Sequence, residues 1–156
     1  MQHLIAREAE PAIYHRLAFE DLRKTTGPTN SATETIAVAV VEAAIKCSAK
    51  AIICLTTSGK SAHLIGKYRP MCPIFAVSRD HQTVRQCNVY RNLIPIWFQD
   101  QEKAEPWAKD VEKRVDFCIA SGKSKGLLNS GDFIVVVTGW RPQSGATNTM
   151  RIMTVE

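Results

Sequence analysis

From residue 51 onward the chain alternates between short apolar runs of strand length and stretches of helix length, and this alternation constrains the fold more than any other feature. Strands are expected over 51–56, 73–77, 94–98 and 132–138, with helices between them over 60–68, 80–90 and 105–121. Runs such as AIICL at 51–55 and FIVVV at 133–137 show no polar alternation, so both faces of each strand need cover. A parallel sheet with right-handed helical crossovers on its two faces supplies that cover. The segment 149–155 favours strand and follows a loop too short to hold a helix, which places it antiparallel at an edge. The expected fold is α/β: a three-layer α/β/α sandwich around a mostly parallel sheet of about five strands, with an antiparallel C-terminal edge strand. An edge strand leaves backbone groups open to another subunit.

Upstream, the apolar positions Leu4, Ile5, Ala9, Ala12, Ile13, Leu17 and Leu22 keep near-helical period over 2–24, with Pro11 expected to kink or split the helix. Its uncapped start in mid-pattern is what a helix taken from a longer chain would show. TTGPTN at 25–30 reads as a turn, and Ser31 with Glu34 forms the S-x-x-E capping box of a helix over 33–48. That helix is small and apolar around most of its circumference, so it should be sandwiched between other elements and also meet a subunit interface.

Composition excludes several function classes. At 156 residues, 45% hydrophobic and 22% charged, the chain fits one globular domain with a core of its own. Its five cysteines form no C-x-x-C pair and read as reduced thiols of a cytoplasmic protein. Its four histidines lack metal-ligand spacing. No signal peptide is visible, and the longest apolar stretch, 36–45, is broken by Glu42 and too short for a bilayer. The net charge of +5 favours anionic partners, but no dense Lys/Arg block with interleaved aromatics marks a nucleic-acid surface.

Ligands of open α/β sheets sit beyond the C-terminal strand ends, here the loops Thr56 to Ser61, Ser78 to Asp80 and Thr138 to Thr147. In the first, a helix start offers unpaired N–H groups and partial positive charge beside Lys60 and the hydroxyls of Thr56, Thr57, Ser58 and Ser61, a setting that suits phosphate. Gly59-Lys60-Ser61 is not a nucleotide P-loop, because the motif needs glycine at 54 and Cys54 stands there. Gly122-Lys123-Ser124 fails in the same way at Phe117. Cys54 and Lys60 have the spacing of the cysteine-phosphatase C-x5-R loop, in which a thiolate attacks phosphorus. Lysine lacks arginine's fork, however, and within its apolar run Cys54 also reads as a small buried hydrophobe. Trp107 and Arg114 fall on one helical face about 10 Å apart, where an indole N–H and a guanidinium could hold a second anion, or simply pack as core tryptophan and solvated arginine. The loop TGWRPQSGATN is placed as a lid.

Through MQHLIAREAE, TSGKSAH, the YRP of 68–70, VTGWRP and SGATNTMR, the chain resembles the C-terminal domain of animal-type pyruvate kinases over essentially its whole length. The resemblance implies that residues 1–14 end the last helix of a catalytic barrel domain and that residues 15–156 are the C-terminal domain. It implies a site for fructose 1,6-bisphosphate, the family's allosteric activator. There Thr56, Thr57, Ser58, Gly59 and Ser61, with Lys60 beside them, would hold the 6-phosphate, and Trp107 and Arg114 the 1-phosphate. Gly139, Trp140, Arg141, Pro142, Gln143, Ser144, Gly145, Ala146 and Thr147 would close over the sugar. The chain departs from the family pattern at Lys60, where arginine is common, and at Gln143, where glycine is expected, while Thr57 occupies a variable position. The phosphoryl transfer from phosphoenolpyruvate to ADP, with its magnesium and potassium, would belong to the barrel. The chain alone is therefore expected to be inactive and to carry no cofactor. A cytoplasmic homo-oligomer, tetrameric through C-terminal domain contacts, is implied as well.

Overall fold

Strand β1 (Ala51–Leu55) is buried along its whole length and lies at the centre of the sheet. In the computed structural model, which describes residues 1–102, 105–141 and 145–156, it pairs in parallel with β2 (Ile74–Ser78) on one side and β4 (Phe133–Gly139) on the other. Strand β3 (Leu93–Trp97) adds in parallel to β2, and β5 (Thr147–Thr154) adds antiparallel to β4, giving the five-stranded order β3-β2-β1-β4-β5. This is the mostly parallel sheet with an antiparallel C-terminal edge that the sequence pattern implies.

Strand periodicity divides the core into two layers. Ile52, Cys54, Ile74, Ala76, Val135 and Val137 face α2 (His15–Thr26), α3 (Ala32–Lys46), α4 (Lys60–Lys67) and α5 (His81–Cys87), which supply Phe19, Val40, Val41, Ile65, Tyr68 and Cys87. Ala51, Ile53, Leu55, Phe75, Val77, Ile134 and Val136 face α6 (Trp107–Ser124) through Val111, Val115 and Cys118. The result is three layers.

Local signals explain most element ends. Ser31 caps α3 by accepting the Glu34 N–H, but the capping box is only half made. The Glu34 carboxylate instead takes Lys67 Nζ at 2.7 Å, Tyr68 Oη at 3.1 Å and the Thr29 hydroxyl at 3.2 Å. Lys67, before the two hydroxyls, holds its pKa below the usual value against the opposing effect of burial. Asp80 caps α5 by accepting the Thr83 N–H at 2.7 Å. The helix expected over 105–121 runs to Ser124, so Gly122-Lys123-Ser124 is helical. Gly122 is fixed by packing, since a Cβ there would lie 2.6 Å from Leu128 Cδ1.

The expected helix over 2–24 divides as Pro11 requires: α1 (Gln2–Ala9), a 3-10 turn at Glu10–Ala12, extended backbone at Ile13, then α2. No residue of α1 is buried. One fully buried side chain anchors α2, Phe19, which meets Tyr68 edge to face at 6.3 Å. Phe19→Ala should therefore lower unfolding stability by about 3 to 5 kcal/mol, whereas Leu17→Ala, on the exposed side of the same helix, should stay within about 0.5. Urea denaturation of both variants checks this.

Candidate functional site

The parallel strands end at one rim, where β1 runs into the turn Thr56–Gly59 and then α4. Gly59 stands at φ 77, a left-handed conformation natural to glycine, and its N–H donates to Thr56 Oγ1 at 3.0 Å, closing the turn. Helix α5 braces the turn from behind: Thr83 Oγ1 donates to the Thr57 carbonyl at 3.0 Å, and a Cβ on Gly59 would lie 3.3 Å from Cys87 Sγ. Lys60 and Ser61 in the first turn of α4, where a helix leaves its N–H groups without intrahelical partners, line a cavity of about 560 Å³.

That cavity collects most of the residues singled out from the sequence. Thr56, Thr57, Ser58, Lys60, Ser61, Trp107, Arg114, Gly139, Arg141, Gly145 and Thr147 all line it. Gly59 shapes the turn without lining the cavity. Ala146 is buried, and Trp140 is 60% exposed with its ring stacked against Arg141 at 4.6 Å. Pro142, Gln143 and Ser144 of the expected lid lie outside the described residues.

The two ends of the site are held differently. At one, Ser61 and Thr147 share a hydroxyl–hydroxyl hydrogen bond of 2.7 Å, so α4 and the start of β5 are joined through a buried polar contact. At the other, the Arg114 guanidinium lies over the Trp107 ring, 4.9 Å from its centroid. The indole N–H donates to the Gly139 carbonyl at 3.0 Å, so it is already engaged, and Arg114 is the cationic side chain of this end of the cavity lining. Arg114 is 7% exposed, neither a solvated arginine nor part of an apolar core. Burial pulls its pKa below the ordinary arginine value and Asp110 opposes that shift, while Arg79 adds to it.

Sequence reasoning missed the support beneath Arg114. Asp110, fully buried, accepts from Arg79 Nη2 at 2.6 Å and Nη1 at 3.1 Å, and Arg114 Nη2 lies 2.9 Å from the same carboxylate. Arg79 also donates to the carbonyls of Asp100 and Glu102, tying the loop after β3 to the end of β2. The i,i+4 spacing of Asp110 and Arg114 was visible in the sequence. Nothing in the periodicity placed Arg79 beside them. Thr33 and Gln101 are further lining residues that the sequence did not single out, while Ser78, Arg79 and Asp80 come from the second loop expected at the strand ends.

The cysteine-phosphatase reading of Cys54 and Lys60 fails. Cys54 is fully buried in the core layer under α3 and α4, and burial, with Cys87 nearby as a lesser cause, pushes its thiol up to about 12. A thiol so placed supplies no thiolate to a ligand above the turn. Lys60, in contrast, is exposed at the cavity mouth. Among the described residues no group of His, Cys, Asp and Glu side chains could hold a metal ion, and no helix is long and apolar enough to cross a membrane.

The family described as "Pyruvate kinase, alpha/beta domain" matches residues 34–153. The chain belongs to the pyruvate kinase family. It is 50% identical over 155 residues to Pyruvate kinase PKLR of Homo sapiens and 49% identical over 155 residues to that of Rattus norvegicus, covering 99% of this chain and 27% of either relative. It is 41% identical over 147 residues to the pyruvate kinase of Lachancea kluyveri, covering 94% of this chain and 29% of that protein. The chain thus spans between a quarter and a third of the length of these curated relatives. The animal-type resemblance agrees with the two mammalian matches, and the cavity lies within this pyruvate kinase alpha/beta domain. In the folded domain at about pH 8, iodoacetamide should modify half-buried Cys47 first and leave Cys54 and Cys118 untouched, as read by peptide mass spectrometry. Rapid labelling of Cys54 would restore it as a candidate nucleophile.

Proposed function

We propose that this domain is the regulatory part of a pyruvate kinase and that its cavity binds fructose 1,6-bisphosphate as an allosteric activator. The observation that carries the reading is that one cavity unites two separate anion points, the turn Thr56–Ser61 and the Trp107/Arg114 stack. At the first, helix-start N–H groups, the hydroxyls of Thr57, Ser58 and Ser61, and Lys60 receive the 6-phosphate. At the second, Arg114 receives the 1-phosphate. Gly139, Arg141, Gly145 and Thr147, which line the cavity, meet the sugar between them.

In this reading the transfer of phosphoryl from phosphoenolpyruvate to ADP, with its magnesium and potassium, takes place on the barrel domain of a full-length cytoplasmic enzyme, and residues 1–14 belong structurally to that barrel. The exposed apolar side chains of Leu4 and Ile5 on α1 support this. Copies of the domain meet in a homotetramer through the half-buried side of α3 and the outer edge of β5, whose Ile152 is 52% exposed. Light scattering of the chain should show concentration-dependent self-association, weakened by Ile152→Glu. A strict monomer at every concentration counts against these contacts.

Calorimetric titration with fructose 1,6-bisphosphate and fructose 6-phosphate tests the ligand. A hydrogen bond to a charged group contributes about 1.5 to 3 kcal/mol, so Arg114→Ala should weaken the bisphosphate roughly tenfold to a hundredfold and leave the monophosphate nearly unchanged. Ser61→Ala and Gly59→Val should weaken both, the latter because a side chain at φ 77 strains the turn against Cys87. Equal losses of both ligands in Arg114→Ala would remove the two-point site.

A further inference from the structure

Arg114 carries a guanidinium that is buried and adjacent to a second one, and yet the residue lines the cavity. The Arg79 and Arg114 guanidinium groups both lie within 3.1 Å of the Asp110 carboxylate. Asp110 grips Arg114 twice: its main-chain carbonyl accepts Nε at 3.3 Å, and its carboxylate lies against Nη2. At Nη2 the guanidinium meets the carboxylate as a buried ion pair at 2.9 Å, and Arg114 lines the cavity beside Trp107. The Trp107 ring holds the face of the guanidinium at 4.9 Å, and the indole is pinned in turn by Gly139. Arg79 meets Asp110 bidentately, fixing the carboxylate while its other N–H groups hold the loop at Asp100 and Glu102.

We propose that Asp110 is a positioning residue for the second anion point: clamped by the Arg79 fork, it holds Arg114 against Trp107 as part of the cavity lining, where the guanidinium meets a phosphate. The inference rests on the bisphosphate reading above. It also fixes the sign of an effect that simple charge counting gets backwards. A carboxylate near an anion site repels the anion, so neutralising it should tighten binding if charge were all that mattered. If Asp110 positions Arg114, neutralising it frees two mutually repelling guanidinium groups and binding weakens.

The test is calorimetric titration of the full chain with fructose 1,6-bisphosphate and fructose 6-phosphate. Asp110→Asn, close in shape, should bind the bisphosphate about tenfold more weakly with the monophosphate unchanged. In an Arg114→Ala background the same substitution should have no further effect, since its route to the ligand is gone. Arg79→Lys keeps the charge and loses the fork, so it should show a smaller loss that also vanishes without Arg114, and it serves if Asp110→Asn does not fold. Bisphosphate affinity that is unchanged or tighter in Asp110→Asn overturns the inference, as does a loss that persists in the Arg114→Ala background, or an Arg79→Lys protein indistinguishable from the parent. A parent chain that binds no bisphosphate overturns the ligand reading itself, and this inference with it.

Discussion

Strand β1 pairs in parallel with β2 and β4 at once, and its buried residues Ala51 to Leu55 leave it no free edge or open face. Three consequences follow from that pairing. Each parallel strand must return through a connection that crosses a face of the sheet, which brings helices to both faces. All parallel strands finish at the same rim, so the chain segments there lie beyond the last sheet hydrogen bonds. Their polar groups need other partners, and the turn after β1 finds some internally, through Thr56 Oγ1 for the Gly59 N–H and Thr83 for the Thr57 carbonyl. The remaining donors, at the start of α4, have no partner within the helix. Donors left open at such a rim are what suits it to an anion.

The second anion point is held by the opposite device. It uses no orphan backbone, only a buried arrangement of two guanidinium groups and one carboxylate. Such a group is expensive to desolvate, and removing one partner of a buried pair typically costs about 3 to 5 kcal/mol. The expense is offset here by pairing: both carboxylate oxygens are paired, Arg79 also reaches two carbonyls, and one face of the Arg114 guanidinium is covered by an indole. Two guanidinium groups against one carboxylate leave the trio with a net positive charge in a place where water screens poorly. One proposed anion point is therefore made of backbone geometry and the other of side-chain charge, and they should differ in their sensitivity to substitution at single residues.

The alternation of apolar runs was sufficient to place the sheet, its antiparallel edge and the helix layers, because covering both faces of a buried strand is a demand that few architectures meet. The turn Thr56–Ser61 was legible for the same reason, since strand end, glycine and helix start are adjacent in the chain. What was not legible depends on distance in sequence. Arg79 meets Asp110 across 31 residues, and the Thr83 brace on Thr57 spans 26, and no periodicity encodes either contact. In the sequence Trp107 fits either an anion donor or a core tryptophan, and its N–H goes to Gly139, a partner 32 residues away that only the folded chain brings near. Glu34 looked like the second half of a capping box and instead gathers Lys67 at the end of α4 and Tyr68 just beyond it, while the Ser31 N–H goes to Thr29 Oγ1. Cys54 shows the converse, for its place inside an apolar run already marked it as core despite its suggestive spacing to Lys60.

The elements that touch the cavity are also the ones with faces left over. Thr147 is the first residue of β5, an edge strand, and it bonds Ser61 at the start of α4. Thr33, near the start of α3, lines the same space. A ligand phosphate that takes the Ser61 hydroxyl competes directly with Thr147, and so acts on the position of β5 at its first residue. If copies of the domain associate through β5 and α3, the ligand and the neighbouring copy act on the same two elements, and linkage then requires their effects to be reciprocal. Whatever factor the bisphosphate adds to association, association must add to bisphosphate affinity. A hydroxyl pair 2.7 Å apart is a small contact, but it stands where the site and the edge of the sheet share a residue.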